Sequence, residues 1–355
     1  MIKVLVVEDS PAVREFLIHV LSADPAIRVV GTAHDGEDAL DAVRRYGPDV
    51  ITMDIHMPNM DGLEATRRIM ETDPKPIVIV SGSYDAREMA TTFKAIEAGA
   101  LAVLPRPAGI GHADYEASAR ELVQTVKLMS EVKVVRRWHR VRRDAPAPRP
   151  GDTVAGRTPA KMRIVAIGAS TGGPPALDTL LAGLPKAFPA PIVIVQHMAA
   201  GFIQGFAEWL RQSARLPVHV ARHGEPVFPG HVYMAPDDYQ MKVERSGQIT
   251  LTRDAAENGL RPAVSYLFRS IADNYGSDAV AGLLTGMGRD GAEELRLLKE
   301  KGAITFAQDK DSSVVHGMPG EAIKLDAATF VLPPDKISAM LVNLANNGHA
   351  QWRPS

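Results

Sequence analysis

Ser170, His197 and Asp290, scattered over the second half of a 355-residue chain, are the residue types that nucleophilic acyl chemistry requires. A serine hydroxyl is a poor nucleophile at neutral pH. It needs an imidazole to take its proton, and the imidazole needs a carboxylate to fix its tautomer and steady the imidazolium. Ser170 lies within RIVAIGASTGGP (Arg163–Pro174), a Gly-x-Ser-x-Gly turn between the apolar run Ile164–Ile167 and an amphipathic run bearing Leu177, Leu180 and Leu181. Glycines let such a turn bend sharply, and the helix that follows aims free N–H groups at any oxyanion formed there. Each residue also has an ordinary reading. Ser170 serves equally as a helix cap, His197 as a structural histidine, and Asp290 as the N-cap of a helix over Ala292–Lys299. A dinucleotide-binding loop fits less well, because it needs glycine where Ser170 stands and an acid about 20 positions on, where His197 ends the next strand. All three residues follow apolar strands, and that shared placement favours a triad.

A second constellation occupies the first third of the chain. Glu8 and Asp9 end one predicted strand, Asp54 another and Ser81 a third, and Arg106 follows a fourth. Clustered carboxylates repel one another unless a hard cation sits among them, and an all-oxygen ligand set suits Mg²⁺. The Ser81 hydroxyl and the Arg106 cation are placed to hold a phosphoryl group on Asp54.

The elements that must position these residues alternate. In the first stretch Ile2–Val7, Val29–Ala33, Asp49–Met53, Ile77–Val80 and Ala100–Leu104 read as strands, separated by helical periodicity such as Val13, Phe16, Leu17, Val20 and Leu21. This pattern predicts a doubly wound five-stranded parallel sheet with its ligands at the carboxyl edge. From residue 161 the alternation resumes with strands at Ile192–Gln196, Val218–Ala221, Ala279–Thr285 and Ala303–Ala307 and helices such as Pro262–Asn274. It predicts a second doubly wound, mostly parallel α/β domain. Within it, His231–Ala235 and the pair Gln240–Arg245 and Gln248–Arg253 read as antiparallel hairpins, the latter turning at Ser246–Gly247. The order Ser, His, Asp differs from that of the α/β-hydrolases.

Composition excludes much. The chain has no cysteine, so disulfides, thiolate catalysis and cysteine–zinc sites are absent, and a net charge of −2 gives no reason to invoke nucleic acid. No signal-peptide pattern opens it and no apolar run approaches the ~18 residues of a membrane span, so a soluble cytoplasmic protein without membrane insertion is expected. The reading divides the chain into domains at 1–122 and 161–349. The stretch 123–160 between them is a linker, basic at Arg136, Arg137, His139, Arg140, Arg142 and Arg143 and then rich in Pro, Ala and Gly. That arginine run reads as a solvated face or as a dock for an acidic surface.

Residues 2–122, with VVEDS, DVITMDIHMPNMDGLE, PIVIVSG and GALAVLPRP, resemble a two-component receiver domain. The resemblance implies a flavodoxin-like fold with Asp54 as phospho-acceptor, Glu8 and Asp9 as Mg²⁺ carboxylates and Ser81 as switch hydroxyl. Arg106 stands where the receiver family has lysine, and Val103 where it usually has an aromatic. The second domain resembles the catalytic domain of the chemotaxis protein-glutamate methylesterases (CheB), through IGASTGGP, PIVIVQHM, PGHVYMAP, RPAVSYLF, GLLTGMGRDGA and SSVVHGMPGEAI. It implies Ser170 as nucleophile, His197 as general base and then acid, and Asp290 as orienting carboxylate. The backbone N–H groups of Thr171 and Met287 are the implied oxyanion donors. It further implies a phosphorylation-regulated esterase of glutamate methyl esters on chemoreceptors, with glutamine deamidation besides. The implied phosphodonor is the chemotaxis histidine kinase, and phosphorylation is implied to relieve occlusion of the active site. Departures at Gln240, Ser265 and Arg289 are expected to tune substrate choice. The rival from another class is a non-catalytic output module that docks partners. A narrower rival keeps the esterase and makes the receiver a phosphate-independent brake.

Overall fold

In the computed structural model, residues 1–82, 93–132, 134 and 162–347 are described, and the arginine run and the Pro/Ala/Gly-rich stretch after it lie outside them. Two compact units divide the chain, Met1–Pro146 and Ala147–Ser355. No helix among the described residues is long and apolar enough to cross a membrane.

The first unit is built on β1 (Ile2–Val7), β2 (Ile27–Ala33), β3 (Val50–Met53), β4 (Ile77–Ser81) and β5 (Ala102–Pro105). Their order is β2-β1-β3-β4-β5 and every pairing is parallel. Strands β3 and β4 are buried along their whole length, which a sheet covered by helices on both faces demands. Helices α1 (Pro11–Ser22), α2 (Gly36–Tyr46), α3 (Gly62–Thr72) and α5 (Tyr115–Ser130), with a helical segment α4 at 93–98, supply that cover. Asp35 and Asp61 cap α2 and α3 by accepting from the Asp38 and Glu64 backbone N–H groups. Leu122, Val126 and Met129 turn one stripe of α5 into the core. The order in which strands are added reverses at β1, with β2 on one side and β3 on the other, so the switch point of the sheet lies between the strands that carry Glu8–Asp9 and Asp54.

The second unit holds a seven-stranded sheet in the order β14-β13-β12-β6-β7-β9-β8. Its strands are β6 (Ile164–Ala169), β7 (Ile192–Gln196), β8 (Val218–Val220), β9 (Val232–Met234), β12 (Ala279–Leu283), β13 (Ile304–Gln308) and β14 (Phe330–Leu332). A separate antiparallel pair, β10 (Gln240–Val243) and β11 (Ile249–Thr252), turns at Gly247, whose φ of 84° suits glycine. One expectation needs correcting. The segment His231–Ala235 forms no hairpin: β9 pairs in parallel with both β7 and β8 inside the main sheet. Three buried residues carry no signal of strand direction. The connection from residue 221 to 231 is long enough to bring the chain back to the same end of the sheet.

Helices α6 (Gly173–Ala182), α7 (Ile203–Ser213), α8 (Val264–Asn274), α9 (Ala292–Glu300), α10 (Met318–Lys324) and α11 (Pro334–Asn347) complete the unit. Ile164 and Ala166 of β6 point to one face, where Val264, Leu267, Phe268 and Ile271 of α8 and Leu295 of α9 close over them. Central β6 has β12 on one side and β7 on the other. The chain runs from β6 to β7, on to β8 at the edge and back to β9 between them, then crosses to β12, so the switch point falls between β6 and β12.

Candidate functional site

Register decides what meets at the carboxyl edge of the large sheet. Ala169 lies opposite Gln196, and Gly168 opposite Leu283. Ser170, His197 and the turn 284–290 therefore leave three adjacent strands on one rim. The His197 N–H closes the last rung on Ala169 O at 2.9 Å, and the Ser170 N–H donates to Thr285 O at 3.0 Å.

Ser170 does not cap α6. The N-cap is Gly172, at φ 78°, without a side-chain hydrogen bond, and the Ser170 carbonyl instead accepts from the Gly173 N–H at 2.7 Å. Asp290 does not cap α9 either, where Gly291 is the N-cap. Its buried carboxylate caps a helix distant in sequence, taking the N–H groups of Val264 at 2.6 Å and Ser265 at 3.0 Å at the start of α8. The same carboxylate approaches His197, with Oδ2 2.9 Å from Nε2, and the two side chains are 3% and 11% exposed. Nε2 makes no well-aligned hydrogen bond there, so proximity and charge define the contact. Burial by itself pushes the Asp290 carboxyl up. The adjacent His197 ring and the two α8 N–H groups outweigh it and hold the carboxyl below its ordinary value of 3.8.

Ser170 Oγ makes no hydrogen bond to another described residue. Catalytic contacts are often loose before substrate arrives. Neither the Thr171 nor the Met287 backbone N–H has an acceptor among the described residues. Gly286, which precedes Met287, packs on Ser170: a Cβ there would stand 2.7 Å from Ser170 Cβ and 2.5 Å from Met318 Sδ.

Several residues that hold this rim escaped the sequence reading. Gln196 is 3% exposed, and its Nε2 donates to both Ser170 O (2.9 Å) and His197 O (2.8 Å). Fully buried Thr285 donates from Oγ1 to Thr171 O at 2.9 Å, and Gln308 Oε1 accepts from the Thr285 N–H at 2.8 Å. Their signal was faint but present: a polar residue closing an otherwise apolar buried strand. Gln240 is fully buried and spends its amide on backbone groups of Ala255, Leu260 and Ala263. Ser265 Oγ donates to Glu257 Oε2 at 2.6 Å. Arg289 is exposed.

On the small sheet, carboxylate oxygens of Glu8, Asp9 and Asp54 lie within 4.8 Å of one another. Burial, then the neighbouring Asp54 charge, lifts Glu8 from an ordinary 4.5 to about 7 despite Arg106. Burial likewise raises Asp54, against the Ile55 N–H that donates to its Oδ1 at 2.8 Å. Two acids held reluctantly ionised beside a third, with oxygen donors only, fit a hard divalent cation such as Mg²⁺. Arg106 Nη2 donates to Glu8 Oε2 at 3.3 Å, and its backbone N–H meets Ser81 O at 2.8 Å. Its Nε is buried and has no partner among the described residues. Ser81 is buried at the end of β4, and Val103 faces Ile79 across the β4–β5 pair.

Two family models match this chain. The family model described as CheB methylesterase matches residues 165–341, and that described as response regulator receiver domain matches residues 4–112. The chain is 67% identical over 344 residues to a protein of Nitrosospira multiformis named protein-glutamate methylesterase/protein-glutamine glutaminase, covering 97% of each. A Geobacter metallireducens relative of the same name, numbered 4, is 58% identical over 346 residues, covering 97% of this chain and 99% of that protein. The crystal structure of the Thermotoga maritima CheB methylesterase catalytic domain is similar at TM-score 0.50 and 42% identity, covering 51% of this chain and 98% of that one.

Proposed function

Because this chain belongs to the CheB methylesterase family, with a receiver domain ahead of the catalytic one, we propose that Ser170, His197 and Asp290 carry its hydrolysis. The chain is a phosphorylation-regulated protein-glutamate methylesterase and protein-glutamine glutaminase. The observation that carries the residue assignment is the His197–Asp290 pair, 2.9 Å apart, one strand end away from Ser170.

The chemistry follows from that arrangement. His197 takes the Ser170 proton as Oγ bonds to the ester carbonyl carbon. Since Nε2 faces Asp290, Nδ1 is the nitrogen left for the hydroxyl. Negative charge moves to the carbonyl oxygen, where the Thr171 and Met287 N–H groups receive it; one such donor is typically worth about 10²–10³ in rate. Collapse breaks the C–O bond, and His197 returns its proton to the departing methoxide, giving methanol. Water then attacks the acyl-serine, with His197 taking a proton from it and handing one back to Ser170 Oγ. The products are a glutamate carboxylate and free serine. A glutamine side chain follows the same route with ammonia leaving. Asp290 stays ionised throughout, held there by its helix N–H groups, and offsets the imidazolium charge.

In the receiver domain, Asp54 accepts the phosphoryl group, and Glu8 and Asp9 with Asp54 would hold Mg²⁺ there. The cation neutralises charge on the transferring group when bound. Arg106 Nε and the Ser81 hydroxyl hold the phosphoryl oxygens. We place this chemistry in the cytoplasm, with a chemotaxis histidine kinase as phosphodonor and methylated chemoreceptors as substrate. Methanol release from methylated receptor tests the assignment: Ser170→Ala abolishes it and leaves the fold unchanged, and near wild-type release in that variant sinks the triad.

A further inference from the structure

Resting on the esterase reading, we infer that Gln196 is a positioning residue that sets the separation of nucleophile and base. The β-ladder joining their strands ends at the His197 N–H to Ala169 O bond. Beyond that rung nothing in the sheet holds residue 170 to residue 197, and strand ends are where pairing opens most readily. Gln196 supplies a cross-link there. Both hydrogens of its amide are committed, one to Ser170 O and one to His197 O, at 2.9 and 2.8 Å. The amide has a single sensible orientation, because turning it over would put an oxygen against two carbonyl oxygens.

The arrangement costs something that packing alone does not explain. Gln196 Oε1 is left buried with no partner among the described residues. A Cβ on Gly173 would stand only 2.0 Å from that oxygen, so the amide also demands glycine in the first turn of α6. An apolar side chain closing β7 would avoid the unpaired oxygen, and a buried polar atom without a partner calls for a reason. The reason assigned here is geometric. One amide grips the carbonyl groups of the two residues that exchange the proton, and a misplacement of about 1 Å between such groups costs on the order of 10²-fold in rate.

Two variants of the full-length protein test this by methanol release from methylated receptor, with kcat and KM measured from pH 5 to 9. Gln196→Met keeps the volume and removes both donors. It is expected to lower kcat about 10²-fold with KM unchanged. Gln196→Glu keeps the shape and makes the donor titratable. Protonated, it offers one O–H; ionised, it sets a carboxylate against two carbonyl oxygens. Its kcat is therefore expected to fall with rising pH over a range where wild-type kcat still climbs, while circular dichroism shows the fold intact at both ends. This pH toggle decides the matter even if the methionine variant misfolds. A glutamate variant whose profile runs parallel to wild type overturns the inference, as does a loss confined to KM. A wild-type chain that releases no methanol overturns the esterase reading and this inference with it.

Discussion

The two sites place acids at the carboxyl rims of two parallel sheets and treat them in opposite ways. On the small sheet Glu8 and Asp54 are pushed up by burial and mutual repulsion, with Arg106 a partial offset. On the large sheet Asp290 is buried as deeply and yet pushed down, by His197 and by two N–H groups of α8. The difference is what each rim contains. Asp290 has its donors within the chain, two α8 N–H groups with the His197 ring beside them, so its carboxylate is held in place before substrate arrives. Among the described residues Arg106 matches only part of the charge of the Glu8–Asp9–Asp54 group, and the proposed cation and phosphoryl group would complete it. The proposed phosphoryl site leaves its acids unsatisfied, whereas the proposed triad has its carboxylate satisfied in advance.

That contrast is open to direct attack. The largest expected effect is at the catalytic carboxylate: Asp290→Asn keeps the α8 cap position filled but leaves the imidazole without its anion. A fall of about 10⁴ in kcat for methanol release is expected, by analogy with other triads. A loss under tenfold would mean that Asp290 is only a helix cap. Next, Asp54→Ala removes the whole response to acetyl phosphate with Mg²⁺ and leaves basal esterase activity in place. An equal rise in variant and wild type would make the receiver a phosphate-independent element, as Arg106 and Val103 invite one to consider. Smaller again is Gly286→Ala, whose new methyl group crowds Ser170 Cβ. We expect kcat to drop on the order of tenfold, within the cost of displacing a reacting group, and an unchanged kcat would show that the nucleophile tolerates the shift.

The least effect, and the sharpest test of the contrast, is on stability against pH. Glu8 has a folded value near 7 above an ordinary 4.5, so its contribution is full below 4.5 and is lost as pH rises through 7. Without divalent cation, Glu8→Gln should raise the melting temperature at pH 8 and change it little near pH 4.5. Saturating Mg²⁺ at hundredfold over Kd should add about 2.7 kcal/mol to wild type at pH 8 and less to the variant. Asp290 runs the other way: its stabilisation is full above its ordinary 3.8 and fades as pH falls further. The melting-temperature gap between wild type and Asp290→Asn should therefore narrow on acidification below that value. Parallel pH curves for the two variants would erase the distinction between the rims.

Much of this was legible in the residues alone, and what was legible is local. Ile164–Ile167 and Ile192–Gln196 are apolar, β-branched and short, so burial on both faces follows from their content, and the alternation of strands with helical periodicity leaves a parallel sheet as the economical outcome. The Gly-x-Ser-x-Gly turn likewise announces a sharp bend before a helix. Less could be read where several partners compete for one group. Asp290 looks like the cap of the helix that follows it, and only folding reveals that it caps α8, which precedes it in the chain. The three residues of β9 are as buried as any parallel strand, yet nothing in their types gives direction.

What the sequence determined by itself, then, is the inventory: which segments must be covered, which turns are tight, and which side chains hold oxygen, nitrogen or charge. Tertiary structure alone decided adjacency. Gln196 reads as one polar residue at the end of a strand until the register of β6 against β7 brings two carbonyl groups onto its amide. The physical reason is that periodicity and composition act over a few residues, whereas register and strand order are settled by the packing of the whole sheet, and a pairing offset of one residue sends each side chain to the opposite face.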